Sequence, residues 1–197
     1  MKMKLRWIAS LAAVAVVTTA LAAGTAGAKT TPVSVEVSGT QVTIDPATGA
    51  AEMHGSLVGS WVFTKFTPRY QSASQFVATA NELFTGCLDS NTNGTCDKQE
   101  PTGSLKFTMM YWASFDPASG ALLHGECVHP VTGGSGSFKK AAGWIHMVDT
   151  PQGAEVITTY TGTIEYQAAK GGGSAPKHRS LSSVRASAAG HSLGCGS

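Results

Sequence analysis

Between residues 105 and 115 every second side chain is apolar: Leu105, Phe107, Met109, Tyr111, Ala113 and Phe115. Successive side chains of a β-strand point to opposite faces, so this spacing commits one face of an extended segment to a core. The same period returns at Val33, Val35 and Val37, at Leu57, Trp61 and Phe63, over 138–148 and over 155–166. Turn clusters separate these runs, including two of the kind D-P-A-x-G, at Asp45–Gly49 and Asp116–Gly120. Aspartate bonds its own backbone in such turns and glycine supplies the left-handed residue. Seven or eight short strands joined in this way predict an all-β protein, an antiparallel, roughly eight-stranded barrel, with a sandwich as the other arrangement. Residues 75–85 read as extended, with a short helix over 73–83 in competition. The opposite face of 105–115, with Met110 and Trp112, is apolar in its middle, so neither side of that strand reads as fully solvated.

The first 28 residues place Lys2, Lys4 and Arg6 ahead of an apolar run from Ile8 to Ala22, ending at Ala26-Gly27-Ala28. This is the pattern of a secretory signal peptide, and its apolar run is shorter than the roughly 20 residues that span a bilayer. The expectation is export to an extracellular or periplasmic location, a β-barrel domain over 29–166, and no stable membrane insertion once the signal is removed. Without the signal the chain carries eleven basic and twelve acidic residues. That balance lacks the clustered Lys and Arg of a nucleic-acid footprint, so nucleic acid is not expected as a partner. Residues 167–197 hold four basic residues, no acid and no aromatic ring. A low-complexity basic tail of this composition cannot bury enough surface to order itself and is expected to be disordered.

The stretch CLDSNTNGTCDKQE, residues 87–100, fits the twelve-position calcium loop D-x-[DN]-x-[DN]-G-x5-E. Asp89, Asn91, Asn93, Thr95, Asp97 and Glu100 fall at positions 1, 3, 5, 7, 9 and 12, and Gly94 at the sharp bend. Calcium takes six to eight oxygens, which short oxygen-bearing side chains, a backbone carbonyl at position 7 and a closing glutamate supply. The competing reading is a polar turn without metal, since Asn93-Gly94 is itself a strong turn dipeptide. No amphipathic helices flank the loop, which makes a structural Ca2+ the expectation rather than a signalling one. Four cysteines in an oxidising compartment allow three pairings. Cys87 and Cys96 bracket the first two thirds of the loop and are expected to pair, leaving Cys127 with Cys195 as the residual pair, or either of these two as a free thiol.

Residues 129–149, HPVTGGSGSFKKAAGWIHMVD, contain Gly133, Gly134, Ser135, Gly136, Phe138 and Gly143, with an alanine pair just before the last glycine. This segment resembles the G-G-[ST]-G-x-F-x-x-A-x-G signature of the allene oxide cyclase and dirigent barrel superfamily. GSLVGSW and GSLKFTMMYWASFDPASGALLHGEC are similar to the strands before that signature. The resemblance covers about residues 50–166 and implies an eight-stranded barrel with a cavity, in a family whose plant members guide ring closure or radical coupling without a cofactor.

His124, Cys127 and His129 invite a zinc reading, but on a strand Cys127 and His129 share a face while His124 points away. The run 133–136 lacks the G-K-[ST] ending of a phosphate loop and reads as a turn. Met109 with Tyr111, and Trp144 with His146, share strand faces and are candidates to line a barrel lumen that holds an apolar small molecule. Two functions follow. The first is a secreted, calcium-stabilised barrel acting as a binding or structural module, compatible with an oligomer; the second is a cofactor-free isomerase or cyclase-like enzyme acting in the lumen. Convergent buried acid and base groups would favour the enzyme, and a lumen packed solid would favour the module.

Overall fold

The computed structural model describes residues 31–45, 47–153 and 155–168. They form eight strands: β1 (Thr31–Asp45), β2 (Ala50–Gly55), β3 (Leu57–Gln71), β4 (Gln75–Leu88), β5 (Thr102–Phe115), β6 (Leu122–Gly134), β7 (Ala142–Gln152) and β8 (Glu155–Ala168). Each pairs with its chain neighbour, and β1 pairs antiparallel with β8, so the sheet closes into a barrel. β4 is a strand throughout, and β3 runs on through Pro68 to Gln71. Barrel pairing overrides the local preference: Pro68 sits opposite Ala78 next to a bulge, where a residue without an N–H is tolerated. β8 takes in Gln167 and Ala168, and the remainder of the expected tail, like the expected signal peptide, lies outside the described residues. Among the described residues no helix is long and apolar enough to cross a membrane.

In this meander the turns alternate between the two mouths. One mouth carries the twin aspartate turns. Asp45 accepts from the backbone N–H of Ala47 at 2.9 Å and the Thr48 hydroxyl at 2.8 Å, and Asp116 accepts from the N–H groups of Ala118 and Ser119, both at 2.8 Å. These donors hold both carboxyls below the usual carboxylate range. The other mouth carries the tight β2–β3 corner at Ser56, the loop 89–101 between β4 and β5, and the glycine-rich turn before β7, which contains a single 3-10 turn at Gly136–Phe138. Asp89 donates its N–H to the Ser56 carbonyl at 3.0 Å, tying loop to corner.

The interior follows the period-two alternation read from sequence. Leu105, Phe107, Met109, Tyr111 and Ala113 of β5 are all buried, as are Trp61, Phe84, Ile145, Met147 and Ile164 from other strands. Trp61 stacks on Phe107 with ring centroids 4.6 Å apart. Tyr160 reaches from β8 to the β2–β3 corner, where its hydroxyl accepts from the Leu57 N–H at 2.8 Å and donates to the His54 carbonyl at 3.2 Å. Gly39 makes room for that reach, since a Cβ there would lie 1.9 Å from the His54 carbonyl oxygen and 2.6 Å from the Tyr160 hydroxyl.

Burial pushes the Tyr160 and Tyr111 phenols well above their ordinary value, with the Asp149 charge adding to the effect at Tyr111. A phenol whose folded value is raised leaves stability intact below the unfolded value near pH 10 and removes it progressively above that pH. Alkaline titration followed by tyrosinate absorbance and far-UV circular dichroism is expected to show these two rings ionising only as the barrel unfolds. Tyr160→Phe is expected to cost about 1 to 3 kcal/mol in urea denaturation, because it orphans the buried Leu57 N–H.

Candidate functional site

Among the polar side chains buried inside the barrel are Gln41 from β1, Glu82 from β4 and His129 from β6. Glu82 follows Ala78 and Ala80 on the inward row of its strand, two small residues that leave room for a long side chain beside them. His129 follows Cys127 on the inward row of β6, while His124 faces outward, as the strand alternation requires. Glu82 and His129 meet directly, Oε2 to Nδ1 at 2.7 Å, with both side chains fully buried. Trp61 and Phe107 stand edge-on to the imidazole, with centroids at 5.4 and 6.4 Å.

This pair is half satisfied. Glu82 Oε1 and His129 Nε2 are buried and have no hydrogen-bond partner, and neither polar atom of the Gln41 amide has one. Buried polar atoms are rarely left in this state, because each costs about 1 to 3 kcal/mol of lost hydration. The contrast within the same barrel is Asp149, also fully buried, which accepts from the Thr158 hydroxyl at 2.6 Å and the Tyr111 hydroxyl at 3.3 Å. Chemically, a carboxylate on Nδ1 orients an imidazole and strengthens Nε2 as a base or acceptor. The two unpartnered atoms therefore present a ready acceptor at Oε1 and a ring nitrogen able to take or give one hydrogen bond.

Of the residues expected to line the lumen, Met109 and Tyr111 are buried inside it. Trp144 and His146 are not: Ile145 and Met147 take the inward positions of β7, and Trp144 stands on the outer face, 47% exposed. A strand with apolar side chains on both faces does not declare which is inner, and only the register against β8 decides it. Outside, His146 Nε2 contacts Glu126 Oε1 at 2.6 Å and His124 Nε2 contacts Oε2 at 3.5 Å. The His146 contact, with His124 behind it, holds the Glu126 carboxyl below its usual range.

The loop 89–100 is braced as its cysteines suggested, by a disulfide between Cys87 and Cys96. Cys127 is buried on the inner wall, and its expected partner Cys195 lies outside the described residues. Asp89, buried, accepts at Oδ1 from the N–H groups of Asn91, Thr92 and Asn93 and at Oδ2 from Gly94. Glu100 bridges back to the N–H groups of Ser90 and Asp97 at 2.7 and 3.0 Å. The side chains of Asn91 and Asn93 both reach Asp97 Oδ2, at 2.8 and 3.1 Å, so positions 3, 5 and 9 converge. Thr95 donates its N–H and its hydroxyl to Asn93 Oδ1 at 2.8 and 2.7 Å, and its carbonyl is the position-7 group that the loop pattern offers a cation. Backbone N–H groups thus close the ring, and among the described residues no three His, Cys, Asp or Glu side chains gather as one metal-holding group. The donor chemistry itself, oxygen throughout with three carboxylates, is of the kind a hard cation takes.

No family model, no curated protein and no solved structure matches this chain.

Sequence reasoning missed Glu82, because its segment reads equally as strand or short helix and only the strand turns that carboxylate inward. Removing one member of a buried pair strands the other, whereas replacing both with apolar residues of similar volume does not. Glu82→Ala is expected to lower stability by about 3 to 5 kcal/mol in urea denaturation, and the double variant Glu82→Leu, His129→Leu to fold with stability close to the parent. Loss of the disulfide in Cys87→Ser, Cys96→Ser is expected to cost about 2 to 3 kcal/mol, read as a shift in the denaturation midpoint.

Proposed function

We propose that this chain is an exported barrel that binds a small, mostly apolar molecule in its lumen through one polar group, with a structural calcium bracing one mouth. The single observation that carries the reading is the half-satisfied Glu82–His129 pair among aromatic rings. An apolar wall with a few convergent polar atoms is the composition of a small-molecule site, and a hydroxyl or carbonyl on the guest would complete the bonds that the pair lacks. The likeness of residues 129–149 to the allene oxide cyclase and dirigent barrels supports the same region as the working part. Export rests on the sequence of residues 1–28 and accords with a disulfide, which persists in an oxidising compartment.

The 2.7 Å contact between Glu82 and His129 Nδ1 favours a second reading, a cofactor-free isomerase or cyclase. His129 Nε2 would take a proton from a carbon beside the guest's carbonyl and return it elsewhere, with Glu82 holding the imidazole.

Cyclohexanol and cyclohexenone are suitable probes. In 15N-detected NMR of the histidine rings, either is expected to move the His129 Nε2 signal saturably, and the double leucine variant to bind neither. An unmoved ring at saturating probe would remove the lumen from the account. Exchange of the enone's α-protons with deuterated solvent, lost in Glu82→Gln and His129→Gln, would select the enzyme over the binder.

Asp89, Asn91, Asn93, Asp97 and Glu100, with the Thr95 carbonyl, would hold the calcium. A lone extracellular loop of three carboxylates belongs with sites whose Kd is on the order of 10⁻⁴ to 10⁻³ M. At ten times Kd such an ion stabilises by about 1.4 kcal/mol. Calcium at millimolar concentration is accordingly expected to raise Tm by a few degrees, and Asp97→Ala to abolish the rise while leaving the metal-free Tm nearly unchanged. A flat calorimetric titration over that range would dispose of the metal.

A further inference from the structure

A second site lies on the outside of the barrel. Across β3 to β6 runs an open groove of about 690 Å³, within the range of small-molecule pockets. Strand register fixes what crosses it. Thr67 pairs with Thr79, Thr79 with Met110 and Met110 with Val128, so one cross-strand row passes from polar on β3 and β4 to apolar on β5 and β6. Lys65 and Arg69 line its β3 side, and Met110, Trp112, Val128 and Pro130 line its β5 and β6 side together with Glu126, whose carboxylate is already engaged by His146 at 2.6 Å. Met110, Trp112 and Val128 are 64%, 45% and 43% exposed, more than a chance scatter of single apolar residues.

The basic end is electrostatically open. Among the described residues neither Lys65 nor Arg69 has a carboxylate within ion-pair distance, although acidic residues outnumber basic ones over 29–166. Arg69 is steadied instead by its own Nε–H, which donates to the Thr79 hydroxyl at 2.9 Å and leaves the rest of the guanidinium available. We infer that this groove binds an amphipathic anion, its apolar chain laid over Met110, Trp112, Val128 and Pro130 and its carboxylate or sulfonate set between Lys65 and Arg69. The three strand steps from β3 to β6 span roughly 15 Å, the reach of a medium-length alkyl chain.

Charge selects this occupant over the other candidates. Residues 169–197 carry four basic side chains and no acid, which sets them against Lys65 and Arg69. The site is distinct from the Glu82–His129 pair, neither member of which lines it, and Lys65, Arg69, Met110, Trp112 and Val128 all stand on the outer face.

The test is titration of the full-length mature protein with dodecanoate, dodecanol and dodecyltrimethylammonium below their micelle concentrations, followed by Trp fluorescence and calorimetry. Dodecanoate is expected to bind one to one and at least tenfold more tightly than the other two. The exposed pair Lys65→Gln, Arg69→Gln is expected to erase that preference while retaining dodecanol, and Trp112→Ala to weaken all three; unchanged circular dichroism and Tm confirm that the variants fold. Equal affinity for the three head groups would overturn the proposal. So would a preference that survives the double glutamine variant, binding to vesicles of anionic phospholipid without binding of monomeric dodecanoate, or sedimentation showing that the groove is buried between two copies of the chain.

Discussion

The pairing of β1 with β8 is the contact on which the molecule depends. Residues Thr31 to Gln41 run antiparallel to Thr158 to Ala168, and that seam turns a twisted sheet with two edges into a barrel with none. Closure also defines inside and outside for every strand at once. With the period of two, it sends Val35 and Val37 inward beside Tyr160 and Ile164. A one-residue slip at the seam would exchange the faces and bury Thr159 and Thr161 in their place.

Closure also makes the polar interior expensive. A lumen walled by Trp61, Phe84, Phe107, Ile145 and Met147 offers no hydration to Gln41, Glu82 or His129. Asp149 meets the same condition with two hydroxyl donors and is structural. Glu82 and His129 satisfy only each other, on one atom apiece. That asymmetry separates a group whose hydrogen bonds are met within the fold from a pair with hydrogen-bonding capacity left over. The outer groove follows the opposite logic: its ionic side chains stay hydrated at the rim, while apolar side chains on the outward rows of β5 and β6 form the floor.

Much of the architecture was legible in the chain. The β5 row, the twin aspartate turns and the bracketed loop each rest on interactions within a few residues, so their sequence signals are local: an alternation, a carboxylate beside its own backbone N–H groups, two thiols nine positions apart. The Gln75–Leu88 segment was ambiguous because its small residues suit helix and strand alike, and pairing on both sides with β3 and β5 resolved it. β7 was misread at Trp144 and His146 because both of its faces are apolar or aromatic. In such a strand the larger ring is no guide to the inner face.

By itself the sequence determined that the chain is built from antiparallel strands, where most of them turn, and which two cysteines join, since these are questions of period, dihedral preference and short loop closure. The tertiary structure alone decided that Glu82 meets His129 across 47 positions of chain, that Trp144 faces solvent, and that Lys65 and Arg69 share a groove with Trp112. Those juxtapositions are set by strand register around a closed ring. Register is a sum over many weak cross-strand contacts, and no single segment carries it.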